Sequence, residues 1–338
     1  MDFEKNISLR KLNTFGINVK CKFYCKVQSE KEMVSIINSE EYNNNSHLIL
    51  SGGSNVLFLK DYKGLIIQNE IKGKQIIEEK SDSTILRVGA GENWHQFVLW
   101  SIKNGLSGLE NMALIPGNVG SSPMQNIGAY GVEVKDFIVS VEGLNLDTKE
   151  AFILKNSECN FEYRDSIFKH ELKKKVMITH VNFELSKTPI NNTKYGAIKE
   201  EIRSLGLPVS AESICKAVIN IRTRKLPNPE VIGNIGSFFK NPVISTSDFL
   251  KTQKQYSEIV GYKVSDTETK VAAGWLIDQC GWKGYRKGDA GVHKNQALVL
   301  VNHGNATGEE IILLSKEIQK SVKNKFEIDI HPEVNIIG

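Results

Sequence analysis

The chain has 338 residues and a formal net charge of +4, with 40% apolar and 24% charged residues. That is ordinary globular usage, which excludes disorder over most of the length and suits two or three domains of roughly 100–200 residues each. The slight positive charge fits an anionic small molecule and falls short of the clustered basic face that nucleic acid requires.

Residues 1–20 alternate polar and apolar types instead of forming a secretory leader, and no apolar run approaches the roughly 20 residues that cross a bilayer. A cytoplasmic protein with neither a membrane nor a nucleic-acid partner is therefore expected; the sequence does not give the oligomeric state, and a monomer is favoured. Cys21, Phe23, Cys25 and Val27 alternate with Lys22, Tyr24, Lys26 and Gln28, the period of a half-buried strand. The two cysteines read as buried thiols on one strand face. No second cysteine or histidine group completes a tetrahedral set, so no metal is expected.

Residues 31–38 read as a helix with Val34 and Ile37 on one side. Residues 48–50 read as a buried strand running into Ser51-Gly52-Gly53-Ser54-Asn55, with strands at 56–59 and 65–67 after it. A strand at 85–88 leads through Gly89-Ala90-Gly91 to a helix carrying Trp94, Phe97, Val98 and Ile102. The glycine-dense stretch 105–131 breaks the periodicity. Strands follow over 138–146 and 176–185, and a helix over 213–224 stops at Leu226-Pro227-Asn228-Pro229, a natural boundary. Thr307 with Glu310 makes a capping box for a helix whose Ile311, Leu314, Ile318 and Val322 share one face. The connections 191–207 and 243–269 are polar and read as mobile. The whole is an α+β pattern.

Two loops carry the chemistry. In Ser51-Gly52-Gly53-Ser54-Asn55 the paired glycines permit positive φ and close approach to a ligand, and successive N–H groups can cradle an anion. A tight hairpin loop is the plain alternative. No Gly-Lys-Ser/Thr follows, and the spacing is not Gly-x-Gly-x-x-Gly, so neither a phosphate loop nor a Rossmann site is indicated. The second loop includes Ile115-Pro116-Gly117-Asn118-Val119-Gly120-Ser121-Ser122-Pro123-Met124-Gln125-Asn126-Ile127-Gly128-Ala129-Tyr130-Gly131. Few charges, many glycines and several amides suit backbone wrapped around a large, flat, polar ligand.

These loops, with Asn13-Thr14-Phe15, Tyr163-Arg164-Asp165-Ser166-Ile167-Phe168-Lys169, Gly236-Ser237-Phe238-Phe239-Lys240-Asn241-Pro242 and Pro332-Glu333-Val334, resemble the UDP-N-acetylenolpyruvoylglucosamine reductase family. That family lies in the FAD-binding superfamily of vanillyl-alcohol-oxidase type. The resemblance spans almost the whole chain, with all six motifs in the family's order. It implies a two-part FAD-binding domain of vanillyl-alcohol-oxidase type plus a separate α+β substrate-binding domain. The implied divisions are 1–69 with the C-terminal strand 327–338 returning to it, 70–224, and 225–326. Lys194-Tyr195-Gly196 resembles the element of the tyrosine-loop type, placing that loop near 191–207. Two positions depart from the pattern: Asn118, where a smaller residue is common, and Asn335, where some relatives carry a basic residue.

The resemblance further implies FAD as cofactor, NADPH as co-substrate and an enolpyruvyl nucleotide sugar as substrate, in peptidoglycan precursor synthesis. Ser51, Gly52, Gly53, Ser54, Asn55, Ile115, Pro116, Gly117, Val119, Gly120, Ser121, Gln125, Asn126, Gly128, Ala129 and Tyr130 are the expected FAD-binding residues. Arg164 resembles the residue that polarises the substrate carboxylate, Glu333 its partner, and Ser237 the proton donor. Tyr163, Tyr195, Lys225, Asn241 and Gln296 are the expected substrate-binding residues. Taken singly, these residues also fit plain roles: a surface ion pair at Arg164–Asp165, a strand start at Ser237, a solvated Glu333. Two rival readings stand beside this one. An oxidase of the same superfamily needs no Ser237 and Glu333 arrangement, and a binding module without turnover tolerates change at Ser237.

Overall fold

The computed structural model describes residues 2–338. The chain folds as two compact units. The first takes the chain through Ile7, Cys21–Gly53 and Lys63–Arg224; the second takes Ser8–Lys20, Ser54–Tyr62 and Lys225–Gly338. Among the described residues, no helix is long and apolar enough to cross a membrane, and no group of three or more His, Cys, Asp or Glu is placed to hold a metal. Helices pack on small sheets throughout, the α+β arrangement that the sequence pattern led us to expect.

The first unit contains two sheets. One has the order Glu4–Ser8, Lys20–Val27, Tyr62–Asn69, His47–Leu50, with the last pair parallel. Helix Glu30–Ile37 covers it, started by Ser29, whose hydroxyl accepts from Glu32 N at 3.2 Å, and it seats Met33, Ile36 and Ile37 on Cys25, Val27, Leu65 and Ile67. Cys21 and Cys25 are buried free thiols, and burial pushes their pKa up to about 11 and about 12, respectively. The alternation fails at Tyr24. Its ring is buried as well, because its hydroxyl finds a partner in the Gln68 side chain.

The second sheet of this unit is antiparallel, in the order Ala151–Lys155, Ile138–Asn145, Val176–Ser186, Ser83–Gly89, Lys74–Glu79. Beneath it lies an aromatic core in which Phe183 meets Phe97 at 5.1 Å and Trp94 at 6.1 Å between ring centroids. Trp94 begins helix Trp94–Lys103 behind the N-cap Asn93, and its indole N–H donates to Met112 O at 2.9 Å. This bond satisfies the one polar atom of a buried indole and fixes the start of the glycine-dense passage.

The two connections expected to be mobile are folded. Segment 191–207 contains helix Gly196–Ser204, held by Ile198 and Ile202, one helical turn apart. Segment 243–269 contains helix Thr246–Gln255 and three short strands, Val243–Ser245, Gly261–Lys263 and Glu268–Val271, which form one sheet.

In the second unit, Arg286–Lys287, Ala290–Val292 and Leu300–Asn302 form an antiparallel sheet. Strand Asn335–Ile337 returns to pair in parallel with Val56–Phe58, the continuation of the Ser51–Asn55 loop. Helix Gly308–Phe326 carries the expected capping box: Glu310 N donates to Thr307 Oγ1 at 3.2 Å and Thr307 N to Glu310 Oε2 at 2.7 Å. Its first residue lies so close to Phe58 that a Cβ on Gly308 would stand 1.9 Å from Phe58 O. Gly308→Ala is accordingly expected to cost about 2 kcal/mol or more in urea unfolding, since backbone cannot yield as a flexible side chain can. An unchanged unfolding midpoint would contradict this close approach.

Candidate functional site

The glycine-dense passage is pinned from one side by its neighbours in the first unit. Trp94 N donates to Gly117 O at 3.0 Å, Val119 N to Glu92 O at 2.8 Å and Gly120 N to Ala90 O at 2.8 Å. Val119 is fully buried, and a Cβ on Gly120 would sit 2.5 Å from that of Ala90. Against this fixed wall comes the earlier loop. A Cβ on Gly52 would lie 3.0 Å from Gly117 Cα and 3.2 Å from Asn118 Oδ1. Gly53 and Gly117 both have positive φ, 61° and 111°. Backbone therefore meets backbone, and the larger Asn118 is accommodated by the bare α-carbon opposite.

Polar groups at this surface are left without protein partners. Ser51 Oγ is buried and makes no hydrogen bond. Ser121, by contrast, donates its hydroxyl to Asn118 O at 2.7 Å. Asn126 is fully buried with a left-handed backbone, φ 44°. Its side chain is engaged by Glu133 Oε2 at 3.0 Å, Glu162 O at 2.9 Å and Lys135 N at 3.1 Å. It thus braces the passage, which continues through Gly128–Ala129, paired with Val132–Glu133. Ile115 is half-buried against the aromatic core, and Pro116 and Gln125 lie on the same passage.

Arg164 points at this wall. Its Nη2 donates to Gly128 O at 2.8 Å and its Nη1 to Asn126 O at 3.4 Å, and its guanidinium lies 5.5 Å from the centroid of the Tyr163 ring. Its backbone is left-handed, φ 57°, a conformation costing about 1 kcal/mol or more for a residue with a Cβ and common at functional sites. The neighbouring Asp165 bonds to His170 Nε2 at 2.8 Å and to Ser166 N at 2.9 Å.

Arg222 escaped the sequence reading. It lies on helix Ala211–Lys225, donates to Leu114 O at 3.2 Å and shares a hydrogen bond with Tyr130, while its Nε is buried without a partner. Burial lowers its pKa, the Tyr130 hydroxyl works against that fall, and the charge of Arg164 adds to it. His95 accepts from Leu114 N at 3.1 Å through Nδ1, and burial followed by the Arg222 charge lowers its pKa. The signal was in the spacing: Arg222 follows the buried Val218 by four residues, on the inward face. Tyr195, at the start of helix Gly196–Ser204, is exposed and meets Tyr130 edge-on, with ring centroids 5.2 Å apart.

The second unit assembles a different set. Phe238 and Phe239 are buried, and Ser237 before them is exposed, following Gly236 with φ 75°. Glu333 N donates to Phe238 O at 2.8 Å, Lys240 N to His331 O at 2.9 Å, and Phe238 N to Leu298 O at 2.8 Å. Two motifs far apart in sequence, around Ser237 and Glu333, thus run side by side. Asn55 joins them, its Nδ2 donating to Glu333 O at 3.4 Å, while Asn335 returns its backbone N and side-chain amide to Asn55 O at 3.1 and 3.2 Å. Asn335 consequently serves as a brace, and Ser54 precedes this junction. Asn241 Oδ1 accepts from Ala273 N at 3.0 Å, at the start of helix Ala273–Gln279. Gln296 reaches the same turn, its Oε1 standing 3.0 Å from the place of a Cβ on Gly274. Lys225 is exposed at the end of helix Ala211–Lys225.

Residues 21–149 match the family described as FAD binding domain, and residues 228–337 match UDP-N-acetylenolpyruvoylglucosamine reductase, C-terminal domain. The chain is 51% identical over 339 residues to the UDP-N-acetylenolpyruvoylglucosamine reductase of Flavobacterium johnsoniae, covering 100% of both chains. The chain belongs to the UDP-N-acetylenolpyruvoylglucosamine reductase family. The enzyme of the same name from Bacteroides fragilis is 45% identical over 334 residues, covering 99% of this chain and 100% of its own. The solved UDP-N-acetylenolpyruvylglucosamine reductase of Thermus caldophilus shares the fold, with a TM-score of 0.71 at 22% identity over 100% of both chains. A vanillyl-alcohol-oxidase-type flavoprotein from Myceliophthora thermophila has a TM-score of 0.51 at 10% identity, covering 91% of this chain and 70% of its own.

As a member of this family, the chain is an FAD-dependent reductase of peptidoglycan precursor synthesis. The residues present are compatible with the cofactor: two loop backbones too close at Gly52 and Gly117 to admit a Cβ, and buried polar atoms on Ser51 and Arg222 without a partner from the chain. Gly52→Ala should weaken FAD retention roughly tenfold or more, as separating the two loops displaces several ligand-facing groups together. Flavin-fluorescence titration of the refolded variant checks this, and parental affinity would show that the contact does not shape the site.

Proposed function

We propose that the chain catalyses NADPH-dependent reduction of UDP-N-acetylglucosamine enolpyruvate to UDP-N-acetylmuramate. FAD, when bound, would supply the hydride chemistry that links NADPH to the enolpyruvyl double bond. The loop residues from Ser51 to Asn55 and from Ile115 to Tyr130 hold this cofactor, mostly through backbone. The chain acts in the cytoplasm, as a monomer, without a nucleic-acid or membrane partner.

Negative charge develops on the carbon next to the carboxylate, and the chain's own residues answer it there. Arg164 binds that carboxylate, for which a planar, permanently charged guanidinium is suited. Glu333 assists in polarising the same group. Ser237 donates a proton to the carbon, completing addition of hydride and proton across the double bond. A serine hydroxyl is a weak acid, so this step needs a strongly basic acceptor and a site from which bound substrate has displaced water. Tyr163, Tyr195, Lys225, Asn241 and Gln296 bind the nucleotide sugar, whose diphosphate suits Lys225 and whose amide and hydroxyl groups suit Asn241 and Gln296. The divisions 1–69 with 327–338, 70–224 and 225–326 follow this reading, with 191–207 as the tyrosine loop.

The observation that carries the reading is the Glu333 N to Phe238 O bond of 2.8 Å, which sets the proposed donor's segment beside that of the proposed polarising carboxyl. In anaerobic stopped-flow, Ser237→Ala is expected to lose flavin absorbance on addition of NADPH as the parent does. It should then regain that absorbance with the enolpyruvyl nucleotide sugar about 10²–10⁴-fold more slowly, the usual worth of general-acid catalysis. Equal recovery rates in variant and parent would remove Ser237 from the reaction.

A further inference from the structure

Asn111 sits in the short helical turn Glu110–Met112 that opens the glycine-dense passage, and it is 1% exposed. Its amide nitrogen donates to two backbone carbonyls, Tyr130 O at 3.3 Å and Asn192 O at 3.0 Å. A side-chain amide has two N–H donors, so both are used. The carbonyls belong to segments with distinct roles. Tyr130 closes the passage with a left-handed backbone, φ 51°, followed by Gly131 at φ 78°. Asn192 lies three residues before Tyr195, on a stretch that is itself half-buried at Asn192 and Thr193 and becomes regular only at helix Gly196–Ser204.

We propose that Asn111 is a positioning residue that ties the tyrosine-bearing stretch 191–195 to the flavin-binding passage and holds Tyr195 where it can bind the nucleotide sugar. The inference rests on the proposed substrate role of Tyr195. A buried donor pair bridging two carbonyls has no equivalent in other side chains of this length: aspartate offers acceptors where donors are needed, and serine offers one donor on a shorter arm. Without the bridge, the stretch from Asn191 to Tyr195 must be ordered anew each time substrate binds, and that entropy is taken from affinity. The edge contact between Tyr130 and Tyr195 transmits the same constraint on the side-chain level, with an interplanar angle of 82°. The Asn111 amide bonds to the carbonyls of Tyr130 and Asn192, so its loss is expected to act on substrate binding and to leave chemistry on bound substrate and flavin reduction by NADPH as they are.

The test compares holoenzymes of the parent, Asn111→Ala, Tyr195→Ala and the double variant. Asn111→Ala is expected to raise KM for the enolpyruvyl nucleotide sugar roughly tenfold, the worth of one buried hydrogen bond, with kcat within about threefold of the parent and an unchanged rate of flavin reduction by NADPH. In the Tyr195→Ala background it should raise KM no further, since the two act through one element. A parental KM in Asn111→Ala, or KM factors that multiply in the double variant, overturns the inference and leaves the substrate role of Tyr195 standing. A parental KM in Tyr195→Ala overturns both. If Asn111→Ala yields no holoenzyme, Asn111→Ser, which keeps one donor, carries the same comparison.

Discussion

Where Gly52 faces Gly117, two stretches of backbone approach until a single added carbon would touch the opposite chain at 3.0 Å. The proposed cofactor site of the first unit depends on that approach. One stretch is held by the sheet strand His47–Leu50 that precedes it, the other by hydrogen bonds to residues 90, 92 and 94. At the contact the Gly52 backbone meets the Gly117 backbone and the Asn118 side chain, with no room for a further Cβ. Such a surface is expensive alone: each buried polar group without a partner costs about 1–3 kcal/mol. Ser51 Oγ and Arg222 Nε have no hydrogen-bond partner from the chain itself, which leaves them to a ligand or to water.

Electrostatics sharpen the same surface. Arg222 is held by neutral partners, Leu114 O and the Tyr130 hydroxyl, and feels Arg164 as a like charge. Two guanidinium groups near one wall raise the local potential and favour an anionic ligand group. The left-handed backbones of Asn126, Tyr130 and Arg164 show what holding them there requires, since a residue with a Cβ avoids that region unless its surroundings enforce it. Asn126 provides much of that enforcement, through three side-chain hydrogen bonds to residues 133, 135 and 162.

Much of this was legible in the sequence, and the reasons for the failures are specific. The six motifs identified the family because glycines and amides in fixed order report a backbone shape that few other sequences need. The strand holding Cys21 and Cys25 followed from its alternation, but Tyr24 is buried too, since a hydroxyl at the tip of a ring permits burial that a two-letter polar pattern forbids. Helix Thr246–Gln255 was missed because it buries no residue at all; its visible sign was Ser245 with Asp248, whose backbone N donates to the Ser245 hydroxyl at 3.0 Å. Helix Gly196–Ser204 rests on two isoleucines, too few to stand out from a polar stretch. Arg222 went unread, although its spacing from Ile214 and Val218 puts it on the inner face. Asn111 looked like one amide among many, because a bridge to carbonyls at 130 and 192 has no local signature.

The most direct measurement is a crystal structure of the holoenzyme, read at two atoms. With FAD bound, Ser51 Oγ and Arg222 Nε should each lie within about 3.2 Å of a cofactor oxygen or nitrogen, or of a water bridging to one, as buried polar groups require partners. Cofactor bound elsewhere, or both atoms still buried and unpartnered beside it, would contradict the view that the Gly52–Gly117 approach exists to present them.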